Sequence, residues 1–247
     1  MIKFFRTIRK DLMEKNKTGK YLKYAIGEIA LVMIGILLAL QVNNWNEKQK
    51  LNAKAQDYYV QLLDDLNSDK LFAKQTIEKF SEFRKDYEDY TNLYLNPSLK
   101  PIEIFNHISI LPVLSTSLTF NSNTIESLQN SGEVGLISST ILNRLIDLKR
   151  QQDVTIKRAE YTDSGKNGVI QNLAPLLGST TLPKRLDNQP ELSNFFNIDN
   201  NLKEIIFIYE GVHRWKDLSE RETMGRLEDM QKEIDTIMAL INKELKK

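Results

Sequence analysis

Two patterns of hydrophobic residues follow one another along the chain. From Ala25 to Val42 the stretch AIGEIALVMIGILLALQV is apolar for 18 residues apart from Glu28 and Gln41. At a rise of about 1.5 Å per residue it would span about 27 Å, close to the hydrocarbon thickness of a bilayer. The apolar positions then thin to a stripe: Leu51, Ala55, Tyr58, Leu62 and Leu66, then Ala73, Ile77, Phe80, Phe83, Tyr87, Tyr90 and Tyr94. Most steps are three or four, as on a helix that buries one face. No Gly or Pro divides the two patterns before Asn96-Pro97, so one helix is expected from about residue 22 to 94, with Asn43-Asn44 as its candidate bend. The aromatic residues of the stripe read as core.

Pro97, Pro101 and Pro112 punctuate the next region, with a short helix expected at Ile102–Ile108. Ser115–Phe120 has the composition of a brief strand, whereas Asn121–Asn130 reads as a helix capped by Asn or Ser and ended by Gly132, with Gly135 in the turn. Ser138 or Ser139 should cap a further helix that carries Ile141, Leu142, Leu145, Ile146 and Leu148 and runs towards Ser164-Gly165. A short helix should end near Leu177-Gly178. GSTTLPKRLDNQP at 178–190 has the composition of a surface loop, with the length for a partner contact. From about Asn200 to Lys246 the apolar residues resume helical spacing. Leu227, Met230, Ile234, Ile237 and Ile241 make a heptad run of the coiled-coil type, with Gly211 and Gly225 as possible bend points. Antiparallel packing of the first and last helices, with the middle helices alongside, would bury both stripes. The expected class is all-α: an N-terminal transmembrane helix followed by an elongated helical-bundle extracytoplasmic domain.

Charge orients the apolar segment. The chain is nearly neutral, with 34 Lys and Arg against 33 Asp and Glu. Residues 1–24, however, carry eight basic residues against Asp11 and Glu14, a net +6. Glu28 subtracts one, which leaves −4 for residues 29–247. Basic residues flanking a span stay in the cytoplasm. The expected organisation is therefore a basic cytoplasmic tail at 1–20, a transmembrane helix at 21–45 and a periplasmic domain at 46–247, anchored in the inner membrane by a single pass. Tyr21, Tyr24 and Trp45 stand at the edges of the span, where amphipathic rings favour the headgroup level. A cleaved signal peptide would share the basic lead, but the apolar run exceeds the usual h-region and no small-x-small site adjoins it. The tail also suits contact with anionic lipid. A mildly acidic domain is a poor nucleic-acid binder, so membrane lipid, a second copy or another membrane protein are the expected partners.

The stretch KYLKYAIGEIALVMIGILLALQVNNWNEKQK, preceded by MIKFFRTIRKDL, resembles the N-terminal signature of an uncharacterised family of single-pass membrane proteins abundant in Bacteroidota. TFNSNTIESLQNSGEVGLI at 119–137 is similar to a recurrent segment of the same family. The resemblance implies an anchor joined to a helical domain of about 200 residues. It implies no reaction and brings over no catalytic residue.

Candidate chemistry is sparse. The absence of cysteine excludes disulfides, thiolate metal sites and cysteine nucleophiles. His107 and His213 are far apart and sit in no ligand spacing, so neither a metal nor another cofactor is expected; His213, beside Arg214 and Trp215, reads as a packing residue. No GxSxG, Walker loop or dinucleotide fingerprint occurs. Ser164-Gly165-Lys166-Asn167-Gly168 has the residues of a phosphate nest, but its spacing reads as a plain turn. Asp64, Asp65 and Asp69, and likewise Glu228, Asp229 and Glu233, have Lys or Arg within a turn or two, the pattern of a solvated helix face.

The remaining candidate is in the membrane segment. An ionisable residue within an apolar span defaults to a functional hypothesis, although Glu28 lies about one turn inside the edge and could reach the headgroups, Lys20, Lys23 or Tyr24. Glu28, Gly35 and Val42 repeat at seven, and Gly35 and Ala39 form a small-xxx-small pair on nearly the same side. Small residues let helices approach closely, and a carboxyl there can hydrogen-bond across the contact. Glu28, Gly35 and Ala39 are therefore the candidate membrane-helix contact. The function expected is that of a non-enzymatic membrane-anchored scaffold or interaction protein, self-associating or part of an envelope complex. The alternatives are a subunit of an ion- or force-coupled membrane complex that uses Glu28, and an anchored hydrolase.

Overall fold

A computed structural model of the chain describes residues 18–179 and 181–246. Among the described residues the protein is all-α, without strands. Helix α1 (Thr18–Asn92) is unbroken, and Asn43-Asn44 lies inside it. α2 (Pro101–Ile108) starts with a proline at its first turn, where a missing N–H costs nothing. α3 (Asn123–Ser131) ends at Gly132, whose φ of 74° is the left-handed C-cap that a Cβ would strain. α4 (Ser139–Ile170) follows, then the short α5 (Ala174–Leu177), α6 (Leu182–Leu186) and α7 (Pro190–Phe196), and finally α8 (Leu202–Glu244). α8 is one helix, with Gly211 and Gly225 in its interior rather than at bends.

The chain divides into two compact units between Asp57 and Tyr58, a point inside α1. In the first, an 18-residue window has a mean hydropathy of 2.3 and none of it is buried. In the second, α1, α4 and α8 form the frame. α4 and α8 make the closest backbone approach and run antiparallel, as Arg144–Glu233, Arg158–Glu222 and Thr162–Ser219 pair in reverse order. α1 meets α8 in the same antiparallel sense through longer side chains, with Lys70 to Asp235 and Tyr90 to Glu210.

Buried positions on α1 step by three and four without a slip: Tyr59, Leu62, Leu66, Asp69, Ala73, Thr76 and Phe80. Tyr59, not Tyr58, is the buried tyrosine of that pair. α8 buries Ile205, Tyr209, Val212, Lys216, Glu220, Thr223 and then the heptad run Leu227 to Ile241. The apolar members segregate into two cores. One packs Leu62, Leu66, Leu145, Leu148, Leu227 and Ile234; the other packs Tyr90, Phe105, Ile108, Leu177, Ile205 and Tyr209. Each fully buried Leu or Ile contributes about 1.5–3 kcal/mol. Polar residues fill the core positions of the three long helices between them.

Four expectations need correction. Ser115–Phe120 forms no strand. Ser164–Gly168 is no turn but part of α4. Lys166 is buried there and held by its own acceptors, and Gly165 lies against Trp215, where a Cβ would sit 3.3 Å from the indole. Residues 178–190 are not a bare loop, since α6 forms within them and buries Leu186. Asp69 is not on a solvated face, being 2% exposed.

Candidate functional site

In the apolar segment, which is long enough to cross a membrane, Glu28, Gly35 and Ala39 lie on one helix, and at 100° per residue they fall within about 40° of one another. Gly35 and Ala39 are exposed and Glu28 is half-exposed; a Cβ on Gly35 would meet nothing within 4 Å. Tyr24 and Trp45 are exposed at 55% and 63%. The side chain of Tyr21, and residues 1–17 of the basic tail, lie outside the described residues.

In the second unit the polar residues form a continuous set. Near the first core, two carboxylates of α1 hold the segment that leads into α3. Asp65 accepts from Asn121 Nδ2 at 2.6 Å and from the Thr124 N–H at 3.0 Å, and so caps α3 from another helix. Asp69 accepts from the Asn121 N–H at 2.6 Å and from Gln152 Nε2 at 2.7 Å. Burial outweighs these donors and raises Asp69 to about 6. Tyr58 donates to Glu133, and the Ser138 N–H donates to the Tyr59 hydroxyl. Residues 119–137 are thus tied to α1 at both ends.

Farther along, α1, α4, α8 and the extended segment 112–122 enclose a cavity of about 140 Å³. Lys166, 2% exposed, donates to the Val113 carbonyl at 2.7 Å, to Ser115 Oγ and to Asp163 Oδ1 at 2.6 Å. An ammonium has three donors, and all three are taken. The Lys166 and Ser115 hydrogen bonds hold the Asp163 carboxyl below its ordinary range, against the upward pull of burial, the largest influence on it. Lys216 pairs with Glu220 at 2.6 Å and stands 3.9 Å over the Phe83 ring. Burial pushes Lys216 down and Glu220 up, which is desolvation acting on both partners. Phe80, Leu118, Ile156 and Trp215 supply apolar wall. Ser115, Thr116, Ser117, Thr162, Ser219 and Thr223 supply hydroxyls, and Thr116 Oγ1 is buried without a partner.

Beyond this cavity, the hydroxyls of Tyr87, Tyr90 and Tyr94 donate to Glu210 at 3.2, 2.5 and 3.3 Å. Burial and the Glu210 charge push Tyr87 up to about 12. His213 stacks on Tyr87 with its ring centroid 5.5 Å away, and burial, with the Lys216 charge second, lowers it to about 4. It is therefore a neutral packing residue at ordinary pH, as its sequence context suggests. His107 is exposed on α2.

From the sequence, Asp69 reads as part of a solvated face and Lys166 as part of a turn, and Lys216 and Glu220 are not singled out, because all four are charged. The signal was present in the register: stepping back from Leu227 by four, three and four reaches Thr223, Glu220 and Lys216 at core positions.

No curated protein and no solved structure matches the chain. Residues 28–148, just under half of the chain, match a family of unknown function (DUF6090). That stretch holds Glu28, Gly35, Ala39 and the whole of 119–137 with its tethers Asp65 and Asp69, and it ends before Gln152, Lys166, Lys216 and Glu220. Over most of the apolar segment and the tethered α3, then, the chain is similar to a family of unknown function.

Proposed function

We propose that the protein is a non-enzymatic scaffold of the inner membrane that binds a second copy of itself through the Glu28–Gly35–Ala39 face. Its N-terminus lies in the cytoplasm and residues 46–247 lie in the periplasm. The observation that carries this reading is the uncovered segment, whose mean hydropathy is 2.3 with none of the window buried in its own chain. Eighteen such residues left in water would cost far more than a domain's net stability, so lipid or another helix must cover them. The net +6 before the span supports the orientation. The small residues Gly35 and Ala39 support close approach of a second helix, with Glu28 able to hydrogen-bond across it.

The chain has no cysteine, so a single introduced thiol reports one position. Val42 lies within about 40° of Glu28 on the helix and Leu37 lies opposite. In native membranes, oxidation should cross-link Val42→Cys between copies and leave Leu37→Cys monomeric. Glu28→Leu with Gly35→Leu should abolish the Val42→Cys cross-link, whereas Glu28→Gln should retain it. Cross-linking that ignores the position, or that survives the double substitution, refutes the seam. An alkaline phosphatase fused after Lys247 should be active; an inactive fusion refutes the orientation.

A further inference from the structure

The cavity between α1, α4, α8 and the segment 112–122 has a wall chemistry that narrows its occupant, independently of how the anchor is used. Ser115, Ser117 and Glu160 on its lining are exposed, so it opens to solvent. Its buried charges are already matched in pairs, Lys166 with Asp163 and Lys216 with Glu220, both at 2.6 Å, and the remaining lining charge, Glu160, is exposed to water. An entering anion would have to displace one of these carboxylates, and a cation that passes the exposed Glu160 would meet two ammonium groups inside; either exchange costs desolvation without a free buried countercharge. A wholly apolar occupant would leave Thr116 Oγ1 buried and without a partner, which is unfavourable because its lost hydration is not replaced. Hydroxyls differ from all three, since each can both donate and accept. The wall carries six of them from three elements: Ser115, already committed to Lys166 and Asp163, with Thr116 and Ser117 on the extended segment, Thr162 on α4, and Ser219 and Thr223 on α8. Phe80, Ile156 and Trp215 offer apolar surface to the carbon face of a ligand. The volume of about 140 Å³ is near that of an engineered cavity of about 150 Å³ that admits benzene, which sets the ligand at about six to eight non-hydrogen atoms.

We propose that this cavity binds a small uncharged polyhydroxyl compound of the size of a three- or four-carbon polyol, with its hydroxyls on Thr116, Thr162 and Ser219 and its carbon face on Trp215. Thr162 Oγ1 and Ser219 Oγ are 2.6 Å apart, a pair that can open to take one ligand hydroxyl between them. Each hydrogen bond so made replaces one to water, so the net gain is small and binding should be weak and specific.

The test uses the full chain carrying Trp45→Phe, in a detergent without a sugar headgroup. Trp215 is then the only tryptophan of the original two, and its emission reports the cavity wall. Titration with erythritol should give a saturable change in emission, while propionate and ethylammonium should give none. Thr116→Val, close in shape but without the hydroxyl, should weaken erythritol binding about tenfold. Ala159→Leu, which fills the cavity from α4, should abolish it, with helical content and unfolding midpoint measured alongside. A change linear in erythritol, equal binding in Thr116→Val, or tighter binding of either ion overturns the proposal. Should Ala159→Leu fail to fold, Thr116→Val and the two ions decide the question.

Discussion

Replacing Glu220 by alanine would leave Lys216 in the bundle without its partner. The two side chains are 6% and 8% exposed, and they meet at 2.6 Å. In the folded variant Lys216 must either stay charged without a countercharge or give up its proton. Giving it up at pH 7, from an unfolded value of about 10.4, costs about 5 kcal/mol at about 1.4 kcal/mol per unit. That sets the ceiling, because the cheaper route is taken. Breaking buried pairs elsewhere costs about 3–5 kcal/mol, so a loss of about 3–5 kcal/mol is expected. Urea unfolding of the full chain in micelles, followed by helical circular dichroism, measures it. The sign with pH is also set. A lone Lys216 has a folded pKa below its unfolded one, so the unfolded chain binds more protons and stability rises with pH. The deficit of Glu220→Ala should therefore shrink as pH approaches about 10. Lys216→Met together with Glu220→Leu removes both charges and keeps the volume, and should return stability to within about 1 kcal/mol of the parent. Lys232→Ala, which breaks an exposed pair with Asp229, should leave the unfolding midpoint in place. A loss below about 1 kcal/mol for Glu220→Ala, or a double variant as unstable as the single one, would refute the claim that desolvation governs this layer.

Asp69, raised to about 6 in the fold from an ordinary value of 3.8, binds its proton more readily folded than unfolded. Stability should therefore rise as pH falls from about 7 to 4, by up to about 3 kcal/mol; Asp65, the neighbouring carboxylate, adds to the upward shift. Subtracting the curve of Asp69→Asn isolates this contribution, and identical curves for the two proteins would remove it. Gly165 and Gly225 should respond oppositely to alanine, although both lie inside helices. A Cβ at 165 would meet the Trp215 ring at 3.3 Å, whereas one at 225 would meet nothing within 4 Å. Gly225→Ala should gain about 1 kcal/mol from helix propensity. Gly165→Ala should lose that gain and shift Trp215 emission; equal stabilisation at both sites contradicts the close contact.

The sequence alone was enough to determine the long helices and most of their ends, though not α6, α7 or the last turns of α4. Periodicity of 3.6 residues, prolines at first turns and Gly132 at a left-handed cap are local properties, and the helices they predict at 102–108, 121–130 and from about 200 all form. The apolar segment was equally legible, because 18 nearly uninterrupted apolar residues have few uses. The heptad run Leu227–Ile241 is buried throughout, as its spacing requires. Tertiary structure decided which polar residues leave water. Composition reads Asp69, Lys166, Lys216 and Glu220 as solvated, because an isolated charge in a core costs several kcal/mol. Each becomes tolerable only through a partner supplied by packing: for Asp69, Asn121 and Gln152 from two other elements, and for Lys166, the Val113 carbonyl and Ser115 from the extended segment. Lys216 and Glu220 are neighbours on one helix, and such a pair is ordinarily exposed; what buries it is Phe83 of α1 and the closure of α4 over the same face. Those partners lie 51 to 133 residues away along the chain, so local spacing carries no record of them, whereas the three-four register marks the positions that packing will enclose.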